Sequence, residues 1–213
     1  MRKVDMKTSP RHEHFDFYRT FDSPHFNMCA NVHITEFYAY IKGNSISFNI
    51  SVVYVLARTA NAIPEFRYRI RGEEVVEHEV VHPSPTIMGD ENVFGFCGLE
   101  YSQRFPDFMA GALEKIESVK EHPRIIGVDQ DRDDWLFMTA IPWVSFTSFM
   151  HPLRFPVDSV PRIAWGKFFA EGDALKMPLS VQGHHALMDG LHVGRYFELA
   201  QEYFRQPEVM LSS

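Results

Sequence analysis

The sequence predicts an α/β (α+β) fold, a two-layer sandwich in which a mixed β-sheet is covered by helices. Three observations carry this. Runs with apolar residues three and four apart alternate with short apolar runs bounded by Gly and Pro, the pattern of helices interleaved with strands. The 213 residues are 45% hydrophobic and 23% charged, ordinary for a soluble globular chain and enough for one sizeable core, so residues 1–213 read as a single domain. Near the C-terminus a strand turns into a helix at a corner crowded with polar residues.

Taken in order, residues 1–28 are polar and aromatic, with Arg11-His12-Glu13-His14-Phe15 as the notable cluster. His12 and His14 read as exposed polar residues rather than metal ligands. Cys29 to Thr35 alternates as a short strand, and Thr35 is placed to cap a helix through Ile41 that Gly43 ends. Ser47 to Asn61 carries Ile50, Val53, Tyr54 and Leu56 at helical spacing and stops before Pro64. Arg67 to Met88 reads as a hairpin that turns at Gly72 and returns through Glu74 to His82, and Val93 to Tyr101 as a further strand. Pro106 opens a helix to about Lys120. The charged run His122 to Asp134 is expected to be a loop, with Asp129, Asp131, Asp133 and Asp134 on a solvated surface. Trp135 to Phe149 looks like a long apolar strand interrupted at Pro142, and Ile163 to Phe169 like a strand that turns at Glu171-Gly172-Asp173 into the run Lys176 to Val181. The last helix, from about Gly190, presents Val193, Phe197, Ala200 and Phe204 on one face.

A formal net charge of -7 argues against non-specific binding to nucleic acid or to an anionic membrane surface. No stretch approaches the length of a membrane span, and the two cysteines, Cys29 and Cys97, make no disulfide framework, so a cytoplasmic location is expected. The 19 Phe are read chiefly as core, with an apolar ligand pocket as the alternative. His78-Glu79-Val80-Val81-His82 matches the His-Glu-x-x-His signature of zinc peptidases, which needs a helix to turn both imidazoles toward one ion. Here the context is wrong: the flanking Val pairs favour a strand, Pro83 and Pro85 follow at once, and on a strand the two rings would stand about 13 Å apart at the usual rise. No metal is expected.

The segment that points to chemistry is Gln182-Gly183-His184-His185-Ala186-Leu187-Met188-Asp189-Gly190. An imidazole at a strand-to-helix corner is a natural general base at neutral pH, so His185 is the candidate. Asp189 can cap the helix that follows and pair with a cation. This run, continued by Leu191-His192-Val193-Gly194-Arg195, resembles the His-His-x-x-x-Asp-Gly segment of the chloramphenicol acetyltransferases. Pro142-Trp143-Val144-Ser145-Phe146-Thr147-Ser148-Phe149, Pro64-Glu65-Phe66-Arg67 and Arg11-His12-Glu13-His14-Phe15 resemble three further segments of that family, in the same order.

The resemblance implies an acyltransferase acting as a homotrimer with active sites between subunits, His185 facing a pocket built largely by a neighbour. It implies acetyl-CoA as co-substrate and a hydroxyl of chloramphenicol as acceptor, the reaction of antibiotic resistance. By the same resemblance Ser148 donates a hydrogen bond to the oxyanion, Asp189 and Arg11 form a supporting ion pair, and Tyr18 and Phe26 belong to the acceptor wall. His184 and His192 read as structural. Three positions depart from the family's pattern: Ala164 stands where a threonine is usual, Pro24 where a cysteine is common, and a tryptophan before Arg11 is missing. Rival readings are a related acetyltransferase acting on another small hydroxyl or amine, a dihydrolipoyl acyltransferase core, a metal-dependent hydrolase, and a module that only sequesters an aromatic drug.

Overall fold

The computed structural model describes residues 1–125, 132–153 and 158–212. In chain order its elements are β1 (Arg2–Val4), α1 (His12–Tyr18), β2 (His25–His33), α2 (Thr35–Gly43), α3 (Phe48–Asn61), a 3-10 turn (Pro64–Arg67), β3 (Tyr68–Arg71), β4 (Glu74–Glu77), β5 (His82–Met88) and β6 (Phe94–Phe96). There follow α4 (Phe105–Glu121), β7 (Trp135–Ile141), β8 (Arg162–Gly166), β9 (Phe169–Glu171), β10 (Ala174–His184), α5 (Gly190–Arg205) and α6 (Pro207–Leu211).

The main sheet has seven strands along the path β2-β10-β8-β7-β5-β6, with β9 beside β10. It is mixed, as the sequence predicts: β5, β7 and β8 run parallel while β2 and β8 flank β10 antiparallel. The strand period of two gives this sheet two unlike faces. Met177, Leu179 and Val181 of β10, Ile163 and Trp165 of β8, and Leu136 and Met138 of β7 pack with α2, α3, α5 and the buried end of α4 in one apolar core. Registered on the opposite face are Ser180, Gln182 and His184, with Asn27 and His25 on one side and Arg162 on the other. A second sheet, β1-β4-β3, is tied to the first by Arg69. Its fully buried guanidinium donates to the carbonyls of Asp133, Phe66, Tyr68 and Trp135.

Several sequence expectations need correction. Thr35 is the first residue of α2 rather than its cap, and its hydroxyl instead accepts from the Leu175 amide at 2.9 Å. The hairpin's second strand ends at Glu77, because the Asn61 side chain takes both backbone groups of Val81 at 2.8 Å and redirects the chain. A new strand then begins at His82 and runs through Pro83 and Pro85, whose carbonyls accept from Leu99 and Cys97 at 2.9 Å. Since a proline cannot donate in return, the partner strand shrinks from the expected residues 93–101 to Phe94–Phe96. The strand from Trp135 stops at Ile141, and residues 142–153 are irregular. Asp133 and Asp134 are not a solvated surface: Asp133 pairs with Arg71 at 2.7 Å and His78 at 2.9 Å, and Asp134 with Arg132 at 2.9 Å. Asp129 and Asp131 lie outside the described residues. Among the described residues no helix is long and apolar enough to cross a membrane.

Candidate active site

β10 delivers His184 and His185 to the corner before α5, which can turn back so closely because residue 183 is glycine: a Cβ there would collide with the Met188 side chain. Asp189 caps α5 through an Oδ1 bond from the Leu191 amide at 3.0 Å, as the sequence predicts, and its other oxygen pairs with Arg11. Arg11 also donates to the His185 carbonyl at 3.2 Å, so the ion pair and the backbone of the candidate base share one guanidinium. Burial alone would raise the Asp189 pKa; the Arg11 hydrogen bond and charge, the His192 ring and the Leu191 amide outweigh it, and the carboxyl titrates below its ordinary range.

The His185 ring is held at its Nδ1 edge and by two aromatic rings. Its amide donates to the Pro24 carbonyl at 2.8 Å, and its Nδ1 lies 3.2 Å from the Met188 carbonyl. A carbonyl can only accept, so this contact assigns the ring hydrogen to Nδ1 and leaves the lone pair on Nε2. Tyr18 stacks on the ring at 4.0 Å between centroids with the planes 9° apart, and Phe26 closes on it at 4.7 Å. The structure therefore brings His185, Asp189, Arg11, Tyr18 and Phe26 together. Ser148 is not among them. It is exposed in the irregular run after β7 and makes no hydrogen bond among the described residues.

A cavity of about 710 Å³ opens elsewhere on the chain, between α4, the strands β5 to β7 and residues 142–152. Phe94, Phe96, Leu113 and Ile116 give it apolar walls, while Thr139, His151 and Arg162 bring polar groups to the sheet side. Neither His185 nor Ser148 lines it, though Phe149 does. Pocket lining and core share the phenylalanines, since Phe37, Phe66, Phe105, Phe108 and Phe204 are fully buried elsewhere. His151 also donates its amide to Gln182, at 2.9 Å, and its Nε2 stands 3.2 Å from the Thr139 hydroxyl. Ala164, the departure from the threonine pattern, lies buried in register between Thr139 and Ser180.

Burial, then the charges of neighbouring His184 and Arg162, push the His25 pKa down to about 3. Burial holds His184 near 4, with His185 contributing, and burial with Arg162 does the same for His151. The zinc signature is dismantled: His78 Nε2 meets Asp133 at 2.9 Å, whereas His82 Nδ1 accepts from the Tyr101 amide at 3.0 Å. Sequence reasoning missed the Met188 carbonyl and the cavity-lining His151 and Arg162, which no motif marks.

Comparison with known proteins places this geometry. The family model for chloramphenicol acetyltransferase matches residues 1–201. Chloramphenicol acetyltransferase 3 of Escherichia coli is 32% identical over 202 residues, covering 94% of this chain and 95% of the relative. A solved chloramphenicol acetyltransferase superposes with a TM-score of 0.89 at 24% identity, covering 96% of this chain and 100% of the other. The dihydrolipoamide acetyltransferase of Azotobacter vinelandii shares the fold at a TM-score of 0.72 and 14% identity, over 93% of this chain and 88% of its own. With the family model spanning nearly its whole length and a relative at this identity, the chain belongs to the chloramphenicol acetyltransferase family.

Proposed function

We propose that residues 1–213 form one acetyltransferase domain that moves the acetyl group of acetyl-CoA to a hydroxyl of chloramphenicol. The observation that carries the reading is the His185 ring itself, whose Nδ1 faces the Met188 carbonyl at 3.2 Å and whose Nε2 is left as the base. Nε2 takes the proton of the acceptor hydroxyl as its oxygen attacks the thioester carbonyl. The tetrahedral oxyanion collapses, the carbon–sulfur bond breaks, and the imidazolium returns the proton to the departing thiolate. Ser148 donates to the oxyanion, and Asp189, paired with Arg11, keeps the corner in place.

The working unit is a homotrimer in the cytoplasm, with His185 of one copy facing the cavity and Ser148 of the next. Two exposed apolar patches support this. Phe17 and Phe21 flank Tyr18 beside His185, while Trp143, Val144 and Met150, close to Ser148 in sequence, are exposed, Trp143 at 63%. Contiguous apolar surface beside a catalytic group marks an interaction site. Tyr18 and Phe26 belong to the acceptor wall and no metal takes part. A second reading keeps the chemistry and changes the acceptor to another small hydroxyl or amine. The departures at Ala164 and Pro24 favour it, Ala164 lying buried in register between Thr139 and Ser180 where the family usually has a threonine.

The test is thiol release from acetyl-CoA by the purified protein, with and without chloramphenicol, beside His185→Ala. Release that depends on both the drug and His185 supports the reading. Folded protein that releases thiol only with other acceptors moves the assignment to the second reading, and release that survives in His185→Ala removes the general base.

A further inference from the structure

We infer that Glu65 is a positioning residue for His185, acting through the His192 ring. Glu65 is the second residue of the 3-10 turn that follows α3, far in sequence from the corner, yet its Oε1 lies 3.4 Å from His192 Nε2. His192 is buried in the first turn of α5, with its Nδ1 3.1 Å from the Asp189 amide and 2.9 Å from Asp189 Oδ1. A continuous path thus runs from Glu65 through His192 and Asp189 to Arg11, and from Arg11 to the His185 carbonyl at 3.2 Å.

Glu65 faces Nε2, and of the ring's three proton arrangements its carboxylate favours the two that carry a hydrogen there. A neutral His192 that accepts the Asp189 amide at Nδ1 must carry its hydrogen on Nε2, the nitrogen 3.4 Å from Glu65. A protonated His192 gives Nδ1–H to Asp189 and again carries a hydrogen on Nε2, 3.4 Å from the Glu65 carboxylate. Either way the Glu65 carboxylate fixes which edge of the ring faces Asp189, and Asp189 is the residue on which Arg11 is anchored. Glu65 touches neither the His185 ring nor the cavity lining, so it works by placement.

What the path needs is an acceptor at the right reach, not a charge. Glu65→Asp withdraws that acceptor by one methylene, whereas Glu65→Gln keeps an oxygen where the carboxylate stood. Both changes are mild enough for a folded protein. For kinetics the inference rests on the acetyl-transfer reading, so the protein is also examined by 15N NMR of the His185 ring, assigned by its loss in His185→Gln. Glu65→Asp should lower kcat about tenfold with both KM values within twofold, because small displacements of a reacting group act on the transition state. It should also blur the fixed Nδ1–H pattern of His185, and Glu65→Gln should restore both to near parental values. An unchanged kcat and 15N pattern in Glu65→Asp, or a rise in KM alone, overturns the assignment. If the parent releases no thiol while the His185 pattern still responds to Glu65→Asp but not to Glu65→Gln, acetyl transfer fails and the positioning role stands.

Discussion

The two halves of the proposed chemistry are built to different degrees of completion. At the His185 corner, backbone carbonyls, an ion pair, a helix cap and two aromatic rings fix one imidazole within a single chain. Around Ser148 the backbone is irregular, the hydroxyl is exposed, and apolar side chains such as Met150 stand 68% exposed. A general base must have a defined tautomer before substrate arrives, and local bonds supply it. An oxyanion donor needs only to meet the developing charge, so its geometry can be completed by whatever covers the apolar surface next to it.

The comparison breaks most sharply in mixed assemblies. His185→Ala alone should lower kcat on the order of 10⁴-fold, the upper range for a positioned general base. Ser148→Ala should lower kcat by about 10²- to 10³-fold at nearly constant KM, as for a donor used only in the transition state. If each site takes His185 from one copy and Ser148 from the next, co-refolding equal amounts of the two variants returns about a quarter of parental turnover, since a head-to-tail ring places both intact residues together in that share of interfaces. Were both residues contributed by one chain, the mixture would be no more active than its components.

A smaller effect tests the exposed side alone. Trp143→Glu puts a charge into the apolar surface beside Ser148 without touching the His185 corner. It should shift the assembly toward monomer in sedimentation velocity and reduce turnover in proportion, while thermal unfolding of the monomer is unchanged within about 0.5 kcal/mol, as for ordinary surface substitutions. A variant that remains fully assembled and fully active would remove this surface from the interface.

How much of this was legible in the sequence follows the same division. The strand, corner and helix around His185 could be read because a change of period, a glycine and an aspartate cap coincide within a few residues. Arg11 and Tyr18 could not be placed there by pattern; α1 is seven residues long with only Phe15 buried, too little for a helical signal, and the family resemblance identified them instead. β5 misled in the opposite direction. Its prolines are poor strand formers by propensity, but their carbonyls still accept, and the loss falls on a partner strand that is merely shortened. The Met188 carbonyl, which sets the His185 tautomer, belongs to the backbone and leaves no trace in residue identity.

The smallest effect concerns stability and the polar face of the sheet. The folded chain holds His25 near 3 and His184 and His151 near 4, against an ordinary 6.5, with burial the leading cause in each. Well above pH 6.5 folded and unfolded chains both carry these rings neutral, and they add no pH dependence. As pH falls from there toward 4, the unfolded chain binds protons that the folded one refuses, so stability is lost with acid at up to about 1.4 kcal/mol per pH unit for each ring. Asp189 acts in the same direction at lower pH, since its depressed pKa gives stability that disappears as the carboxylate protonates. The contrast between pH 7 and pH 5 is therefore read from urea midpoints in the parent and in His25→Phe. Both ring nitrogens of His25 are buried without a hydrogen-bond partner among the described residues, so an apolar ring of similar shape gives up no bond within the chain at pH 7. The variant should keep the parental midpoint at pH 7 and lose one ring's share of the acid slope, less than a third of it, because burial also holds His78 and His82 below their ordinary value. A full slope in His25→Phe would mean that the unfolding chain takes up its protons elsewhere, and the polar face would then be as complete in one copy as the His185 corner.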